Sequence, residues 1–255
     1  MIEPVHLSVP AEGVLLITLD RPEARNAVNA RLAELVSKAM DRLDSDPDLR
    51  VGILTGAGGT FCAGADLKAF VRGERPYAGV RGFAGLVEQP PEKPLIAAVE
   101  GYALAGGCEI VLACDLVVAA ESATFGITEV KRGLVAAGGG LLRLPERIPY
   151  HVAMELALTG NHVPAPRMAA LGLVNRLVPT GGALDAALAL AGEITANGPL
   201  AVRISKRIVA ESVGWPAEEK WARQREVAEP ISSSEDAREG ALAFAEKRAP
   251  VWRGK

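Results

Sequence analysis

A glycine turn followed by a carboxylate is the first feature of this sequence that could do chemistry. The segment GYALAGGCEI (101–110) predicts a strand end, a turn and a helix start, and it places Glu109 just after Gly106 and Gly107. Backbone N–H groups at a helix start lack partners and favour negative charge. Glu109 is therefore either an ordinary helix-start acid that complements the helix dipole, or a carboxylate that the turn holds for a reaction.

A second glycine turn has the same arrangement. The segment ILTG leads through a glycine-containing loop to CAGAD near Ala65 and then to a helix, as AVEG leads to LAGG near Gly106. If both turns face one cavity, their N–H groups could donate hydrogen bonds to a single carbonyl oxygen and so form an oxyanion hole. The alternative is that these glycines only let strand ends turn tightly, since short glycine motifs give many false positives.

Two other glycine motifs of nucleotide-binding proteins do not fit. The pattern GxxxxGK[ST] is absent, which argues against a phosphate-loop NTPase. The run AAGGGLL (136–142) lacks the preceding strand and following acid of a dinucleotide-binding fingerprint. We therefore assign no function to it at this stage.

Strands and helices alternate over the first 180 residues or so. Short apolar runs predict buried strands, and apolar residues at helical spacing from Ala30 to Leu43, with Asn29 as N-cap, predict a helix. The predicted strands are 14–19, 51–56, 95–101, 115–120, 123–126 and 173–179. Further helices are predicted near Asp66, over 80–89, in three segments from 138 onward, and over 183–196, 199–211, 216–229 and 234–248. The segment 72–79 is predicted as a surface loop.

This alternation predicts an α/β core with parallel strand pairing, followed by an all-helical tail that could form an oligomerisation arm. We place the core in residues 1–195 and the helical C-terminal region in 196–255. With 255 residues, 49% of them hydrophobic, the chain is ample for one sizeable core.

Composition excludes several classes of protein. The net charge is −3 and no stretch is rich enough in Lys and Arg for nucleic-acid binding. Three cysteines without CxxC spacing argue against a disulfide frame or a zinc knuckle, and no metal site is predicted. The amino end does not resemble a secretory signal, and the apolar runs are too short to span a bilayer. We therefore expect a cytoplasmic protein without membrane or nucleic-acid partners.

Several motifs together resemble the enoyl-CoA hydratase/isomerase family, the crotonase superfamily. The resemblance is carried by FCAGADLKAF (61–70) and by the segment 94–134, which begins PLIAAVEGYALAGGCE and includes FGITE (125–129). It continues in order through RPEARNAVN (21–29), AMELALTG (153–160), AALGLVNRLVP (169–179) and ALAFAEKRAP (241–250). It covers nearly the whole chain, and it implies a spiral of ββα repeats with a helical C-terminal region.

The resemblance implies roles for four residues, and among the family's members it points most closely to a hydratase. The backbone N–H groups of Ala65 and Gly106 would polarise the thioester carbonyl of a coenzyme A ester. Glu109 would activate water at C3, and Glu129, twenty positions on, would deliver a proton at C2. Without the resemblance, Glu129 would be taken for a surface ion-pair partner of Lys131 or Arg132. The reaction needs no cofactor, because the substrate is itself carried as a coenzyme A thioester.

The resemblance also implies contacts with the remainder of coenzyme A. Arg25 lies in a loop over the ligand, and Lys68 lies near its nucleotide. Phe244 and Lys247 match a C-terminal helix that reaches the ligand of a neighbouring subunit. A homotrimer, or a homohexamer built as a dimer of trimers, is the expected assembly.

Two departures from the family pattern bear on the acyl group. Thr128 stands where many hydratases have proline, and the run GLVAAGGGLLRLP (133–145) replaces a proline–glycine turn and a TQRL segment. The loop 72–79 and the segment 133–145 should decide which acyl group is accepted. Two alternatives stay open: a Δ3,Δ2-enoyl-CoA isomerase in which Glu129 alone moves the proton, and a non-catalytic acyl-CoA-binding protein.

Overall fold

A computed structural model describes residues 3–255, which form two β-sheets surrounded by helices. The strands are β1 (Val5–Ala11), β2 (Val14–Leu19), β3 (Val51–Gly56), β4 (Leu95–Val99), β5 (Tyr102–Leu104), β6 (Leu116–Ala120), β7 (Thr124–Gly126), β8 (Val163–Pro164) and β9 (Arg176–Val178). The helices are α1 (Ala30–Ser45), α2 (Leu67–Val71), α3 (Gly106–Ala113), α4 (Gly140–Arg147), α5 (Tyr150–Thr159), α6 (Ala165–Ala170), α7 (Ala183–Thr195), α8 (Pro199–Glu211), α9 (Lys220–Ser232) and α10 (Glu235–Glu246).

The larger sheet has six strands in the order β1-β2-β3-β4-β6-β9, and the smaller has three in the order β5-β7-β8. The larger sheet is parallel except for the β1–β2 pair, which agrees with the predicted parallel core. In the smaller sheet β5 and β7 are parallel, while β7 and β8 are antiparallel.

The chain winds as a spiral in which each turn contributes to both sheets. One turn consists of β4 in the large sheet, β5 in the small sheet and then α3. The preceding turn runs from β3 through Cys62, which bridges in parallel to Ala103 of β5, and on to α2. This is the ββα repeat that the sequence implied. It places the turns before α2 and α3 side by side.

The large sheet buries apolar side chains on both faces, as its continuous apolar strands predict. On one face Val51 and Ile53 of β3 pack against Ala187 and Ala191 of α7. On the other face Leu54 belongs to the main core, together with side chains of α1. Because successive strand residues point to opposite faces, the same short strand supports both layers.

The predicted strands of the core are confirmed, but the predicted helix over 80–89 is wrong. That segment contains only a short 3-10 turn, Gly79–Arg81, followed by irregular backbone. Gly82, Ala84 and Gly85 all have positive φ angles, which a right-handed helix cannot contain. The Arg81 side chain is buried and bonds to Asp41 and to the Gln89 carbonyl, so a polar anchor rather than a helix orders this segment.

Three strands were not predicted from the sequence: β1, β5 and β8. The edge strand β1 exposes all but its first residue, so it lacks the apolar run that marks a buried strand. The short strand β8 has only two residues. The helix predicted over 216–229 begins and ends later, at Lys220–Ser232, whereas Asn29 caps α1 as predicted by accepting a bond from the Leu32 N–H.

Polar contacts fasten the C-terminal helices to the core. The Lys206 ammonium on α8 bonds to Asp115 at 2.6 Å and to the carbonyls of Pro91 and Lys93. The Trp252 indole N–H donates to the Ala196 carbonyl at 2.8 Å. The division of the chain into a core, 1–195, and a helical C-terminal region, 196–255, stays a prediction. Across residues 3–255 the helices are all too short or too polar to cross a membrane.

Candidate active site

The two glycine turns that the sequence singled out lie against each other. The Gly64 φ angle is +100°, and a Cβ on Gly64 would lie 3.1 Å from the Gly106 nitrogen and 2.9 Å from the Ala105 Cβ. Only glycine permits both this backbone conformation and this close approach. The contact brings the backbone of Ala65 and Gly106 to the same side of the molecule.

Ala65 and Gly106 both line a cavity of about 750 Å³. Gly106 is the first residue of α3, where an N–H has no partner within the helix. Among residues 3–255, neither the Ala65 nor the Gly106 N–H donates to another protein group. Two backbone donors are thus available at one cavity wall.

Neighbouring contacts hold the Ala65 segment in place. Val28 and Ala65 form a parallel bridge, in which the Val28 N–H donates to the Gly64 carbonyl and the Asp66 N–H donates to the Val28 carbonyl. Asp66 caps α2 and forms a 2.9 Å ion pair with Arg21. Since the backbone on both sides of Ala65 is fixed, its free N–H has a fixed direction.

Glu109 lies in the first turn of α3 and is 4% exposed, and it lines the same cavity. Its Oε1 accepts a 2.9 Å hydrogen bond from the Gly140 N–H. Burial raises the pKa of the Glu109 carboxyl, and the N–H groups of Gly140 and Gly138 partly oppose that rise. A buried carboxyl with a raised pKa that borders a cavity is suited to moving protons.

Glu129 begins a 3-10 turn, Glu129–Arg132, and lines the cavity as well. Its Oε2 is buried and has no hydrogen-bond partner among residues 3–255. Burial, and then the negative charge of Glu109, raise the pKa of Glu129 to about 7. The charge of Glu109 therefore acts on Glu129, and both carboxyls line the cavity that the two free N–H groups border.

The glycine run 138–140, to which the sequence alone assigned no function, holds the Glu109 carboxylate. A Cβ on Gly138 would lie 2.6 Å from Glu109 Oε2, and one on Gly140 would lie 3.1 Å from Oε1. These residues carry no side chain, so no chemical signal in the sequence reveals them. The only available clue was the presence of three consecutive glycines outside any recognised nucleotide motif.

We expect Gly138→Ala to lower catalytic turnover about 10²-fold, because the added methyl group must displace the Glu109 carboxylate and a 1 Å misplacement has that cost. The measurement is kcat with a 2-enoyl-CoA ester, the substrate class that the resemblance implies. Gly192→Ala is the matched control, since a Cβ at that α7 position meets nothing within 4 Å. Equal turnover of the two variants would show that Gly138 does not position Glu109.

The four residues implied for coenzyme A contacts are placed differently from one another. Arg25 lines the cavity, with its guanidinium 5.9 Å from the centroid of the Tyr102 ring. Lys68 is exposed on α2 and does not line the cavity. Phe244 is 87% exposed on α10, and Lys247 follows that helix. Neither of these two lines the cavity of its own chain.

The remaining walls come largely from the two segments that the sequence linked to acyl selection. The loop 72–79 and the segment 133–145 both supply lining residues, and Thr128, which precedes Glu129 in the chain, lines the cavity as well. His162, which belongs to no catalytic motif, also lines the cavity. The lining residues from the two segments are Arg75, Pro76, Tyr77, Leu134, Val135, Ala137 and Gly138.

This geometry can support chemistry at a carbonyl compound. Two N–H groups on one wall can stabilise negative charge on a carbonyl oxygen, and removing one such donor typically costs about 3–4 kcal/mol in the transition state. Two carboxyls with raised pKa values can take and give protons, and Glu129, with a pKa raised to about 7, can do so near neutral pH. The combination fits proton transfer at carbons next to a polarised carbonyl.

Comparison with known proteins agrees with this geometry. The family model described as Enoyl-CoA hydratase/isomerase matches residues 10–255. The solved structure of enoyl-CoA hydratase EchA1 from Mycobacterium marinum has a TM-score of 0.98 and 60% sequence identity, with all of both chains covered.

Two relatives carry different names. Enoyl-CoA hydratase EchA19 of Mycobacterium tuberculosis is 45% identical over 248 residues, which covers 94% of this chain and 93% of the relative. Carnitinyl-CoA dehydratase of Proteus mirabilis is 41% identical over 263 aligned positions, with all of both chains covered. Both names describe adding or removing water, which supports a lyase. The chain belongs to the enoyl-CoA hydratase/isomerase family and has the crotonase fold.

Proposed function

We propose that the protein is a 2-enoyl-CoA hydratase, which adds water across the double bond of the thioester to give a 3-hydroxyacyl-CoA. The observation that carries the proposal is that Ala65, Gly106, Glu109 and Glu129 all line one cavity. A hydratase needs all four, because it must polarise a carbonyl, activate water and deliver a proton.

In the proposed mechanism Glu109 removes a proton from water as the oxygen bonds to C3. The electron pair of the double bond shifts toward the thioester carbonyl, where the Ala65 and Gly106 N–H groups stabilise the developing enolate oxygen. Glu129 gives its proton to C2. Water is consumed and no net proton is released, and the roles of the two acids reverse in dehydration. Addition is syn in this proposal, because Glu109 and Glu129 act on the same face of the double bond, and the proton left on Glu109 returns to Glu129 before the next turnover.

The remote parts of the substrate supply binding energy away from the reacting carbons. Arg25, at the cavity, is placed to contact the coenzyme A portion. We assign Lys68 to the nucleotide end. Phe244 and Lys247 of a neighbouring copy complete the ligand site in this proposal.

We propose a homotrimer or a dimer of trimers as the assembly. Trp221 on α9 is 70% exposed and Phe244 on α10 is 87% exposed, which leaves large apolar side chains for a second copy to cover. Light scattering coupled to size exclusion would measure the mass, and a monomer would refute the assembly.

Product analysis tests the reaction itself. Incubation with crotonyl-CoA should give 3-hydroxybutyryl-CoA, and a 3-enoyl-CoA should not be the preferred substrate. Double-bond migration with no hydroxyacyl product would assign the isomerase alternative. Binding of acyl-CoA without any turnover, unchanged in Glu109→Gln, would assign the non-catalytic alternative.

Dehydration of carnitinyl-CoA is a second candidate, favoured by the full-length relative of that name. The carnitinyl group bears a quaternary ammonium, which aromatic faces attract. Tyr77 and Phe83 line the cavity with ring centroids 5.9 Å apart. Comparing kcat/KM for carnitinyl-CoA and 3-hydroxybutyryl-CoA decides between the candidates, because the same catalytic groups would serve both.

The proposed mechanism predicts a common pH profile for hydration and dehydration. Both directions need the acid pair to hold one proton, on Glu129 for hydration and on Glu109 for dehydration. The pKa of Glu129 is raised to about 7, and the donor proton is lost as the pH rises through that value. We expect kcat/KM to fall about tenfold per pH unit above about pH 7 in both directions.

Rates from about pH 5 to pH 9 with crotonyl-CoA and 3-hydroxybutyryl-CoA measure these profiles. They should superimpose, because the overall reaction neither takes up nor releases a proton. A profile that stays flat to the alkaline end would contradict the assignment of Glu129 as proton donor.

A further inference from the structure

A second cavity lies directly beyond Glu129. Its volume is about 350 Å³, and Glu129 and Val135 line both this cavity and the main one, so the two cavities adjoin at these residues. Small-molecule pockets commonly start at about 300 Å³, so this space is large enough for a ligand group of its own. We call it the side chamber.

Two helices form the walls of the side chamber. From α5 it receives residues at positions i, i+3, i+4, i+7 and i+8, which together make one face of a helix. From α4 it receives positions i, i+3 and i+4. These residues are Tyr150, Ala153, Met154, Ala157 and Leu158 on α5, and Leu141, Leu144 and Pro145 on α4.

The side chamber is lined by apolar side chains, except for Glu129 and the partly polar Tyr150. The other lining residues are Ile127, Val130, Val135 and Ala136, and Glu129 is the one charged residue in the lining. Several of the apolar side chains remain partly in water, with Met154 38% and Leu158 71% exposed. An apolar group placed there would remove this surface from water, which is favourable in proportion to the area covered.

We propose that the side chamber binds the far end of the acyl group, so that the preferred substrates are 2-enoyl-CoA esters with a long or bulky, uncharged hydrocarbon chain. The proposal rests on the proposed function, in which Glu129 serves C2. Carbons beyond C3 can then pass Glu129 into the adjoining chamber, which offers them apolar walls. A charged acyl group would enter a space in which only Glu129 could pair with it.

Affinity for saturated acyl-CoA esters tests the proposal without requiring turnover. Each methylene buried in an apolar site improves the dissociation constant about three- to fourfold. We expect the Kd measured by calorimetry to fall at least about tenfold from butyryl-CoA to decanoyl-CoA. Flat affinity along this series would overturn the proposal.

Filling the side chamber should remove the gain from chain length. Ala157→Phe places a ring within it, and we expect the ratio of butyryl-CoA to decanoyl-CoA Kd values to fall at least about tenfold. Ala170→Phe is the matched control on exposed α6, outside both cavities, and should keep the wild-type ratio. Leu141→Phe fills the chamber from the opposite wall and serves if Ala157→Phe does not fold.

Three other outcomes of the experiments with the filling variants would each decide a specific point. A wild-type chain-length gain that both filling variants retain would overturn the proposal. A change in subunit number in the variants, with the gain intact, would place a second copy of the chain on this face and also overturn it. A steep series that the filling variants abolish, in a protein that hydrates neither crotonyl-CoA nor 2-decenoyl-CoA, would refute the hydratase function while supporting the side chamber as an acyl site.

Discussion

Replacing either Glu109 or Glu129 with glutamine lowers kcat for hydration of crotonyl-CoA by about 10²- to 10⁴-fold, because each change removes one positioned proton transfer. Glutamine keeps the shape of the side chain. In Glu109→Gln the new amide oxygen can still accept the hydrogen bond that Glu109 Oε1 receives from Gly140, so the cavity should keep its form. The loss therefore belongs to the chemical step rather than to folding or binding.

Three comparisons make this expectation specific. The Kd for butyryl-CoA should change by no more than a few-fold, and Glu121→Gln, at an exposed loop position, should have wild-type kcat. The double variant should lose less than the product of the single losses, since residues that act as a unit are not additive. Hydration at the wild-type rate by Glu109→Gln would contradict the two-acid mechanism.

Gly106→Ala is expected to lower kcat by about 10²- to 10³-fold, the usual cost of losing one oxyanion donor. A Cβ on Gly106 would lie 2.4 Å from Cζ of the Phe83 ring, which is 5% exposed and packs edge to face on Tyr77. The buried ring has little freedom to move away, so the start of α3 must shift. The Gly106 N–H then no longer points at the carbonyl oxygen.

The matched control is Gly192→Ala, at a helix position with open space around it. It should be as active as the wild type and more stable by up to about 1 kcal/mol, the difference in helix propensity between the two residues. Thermal unfolding separates a folding defect in Gly106→Ala from a catalytic one. Full activity of a folded Gly106→Ala variant would contradict the oxyanion role.

The strands and helices of the core could be predicted because their signal is apolar periodicity. Runs such as VLLITL and VGILTG, and the helical spacing from Ala30 to Leu43, carry their structure locally. The segment 80–89 carries no such reliable signal, because its path depends on the buried Arg81 and its distant partner Asp41. Likewise, β1 is an exposed edge strand that pairs with β2, and its own sequence does not predict this pairing.

The candidate site shows the same division. The motifs around Ala65, Gly106, Glu109 and Glu129 could be identified by resemblance, but their meeting in one cavity depends on the spiral that sets the turns side by side. The role of Gly138 in holding Glu109 could not be predicted, since it rests on backbone and on the lack of a side chain. The helix α5 could be predicted, but helical periodicity does not distinguish a chamber wall from an ordinary core face.

A crystal structure with butyryl-CoA bound would test most directly whether the backbone donors and the two acids serve one thioester. We expect the thioester oxygen to lie about 2.7–3.1 Å from the backbone nitrogens of both Ala65 and Gly106. Under the two-acid mechanism we also expect C2 and C3 to lie between the carboxyl groups of Glu109 and Glu129. A thioester oxygen that contacts neither nitrogen, or an acyl chain that leaves one of the two carboxyls out of reach of C2 and C3, would contradict it.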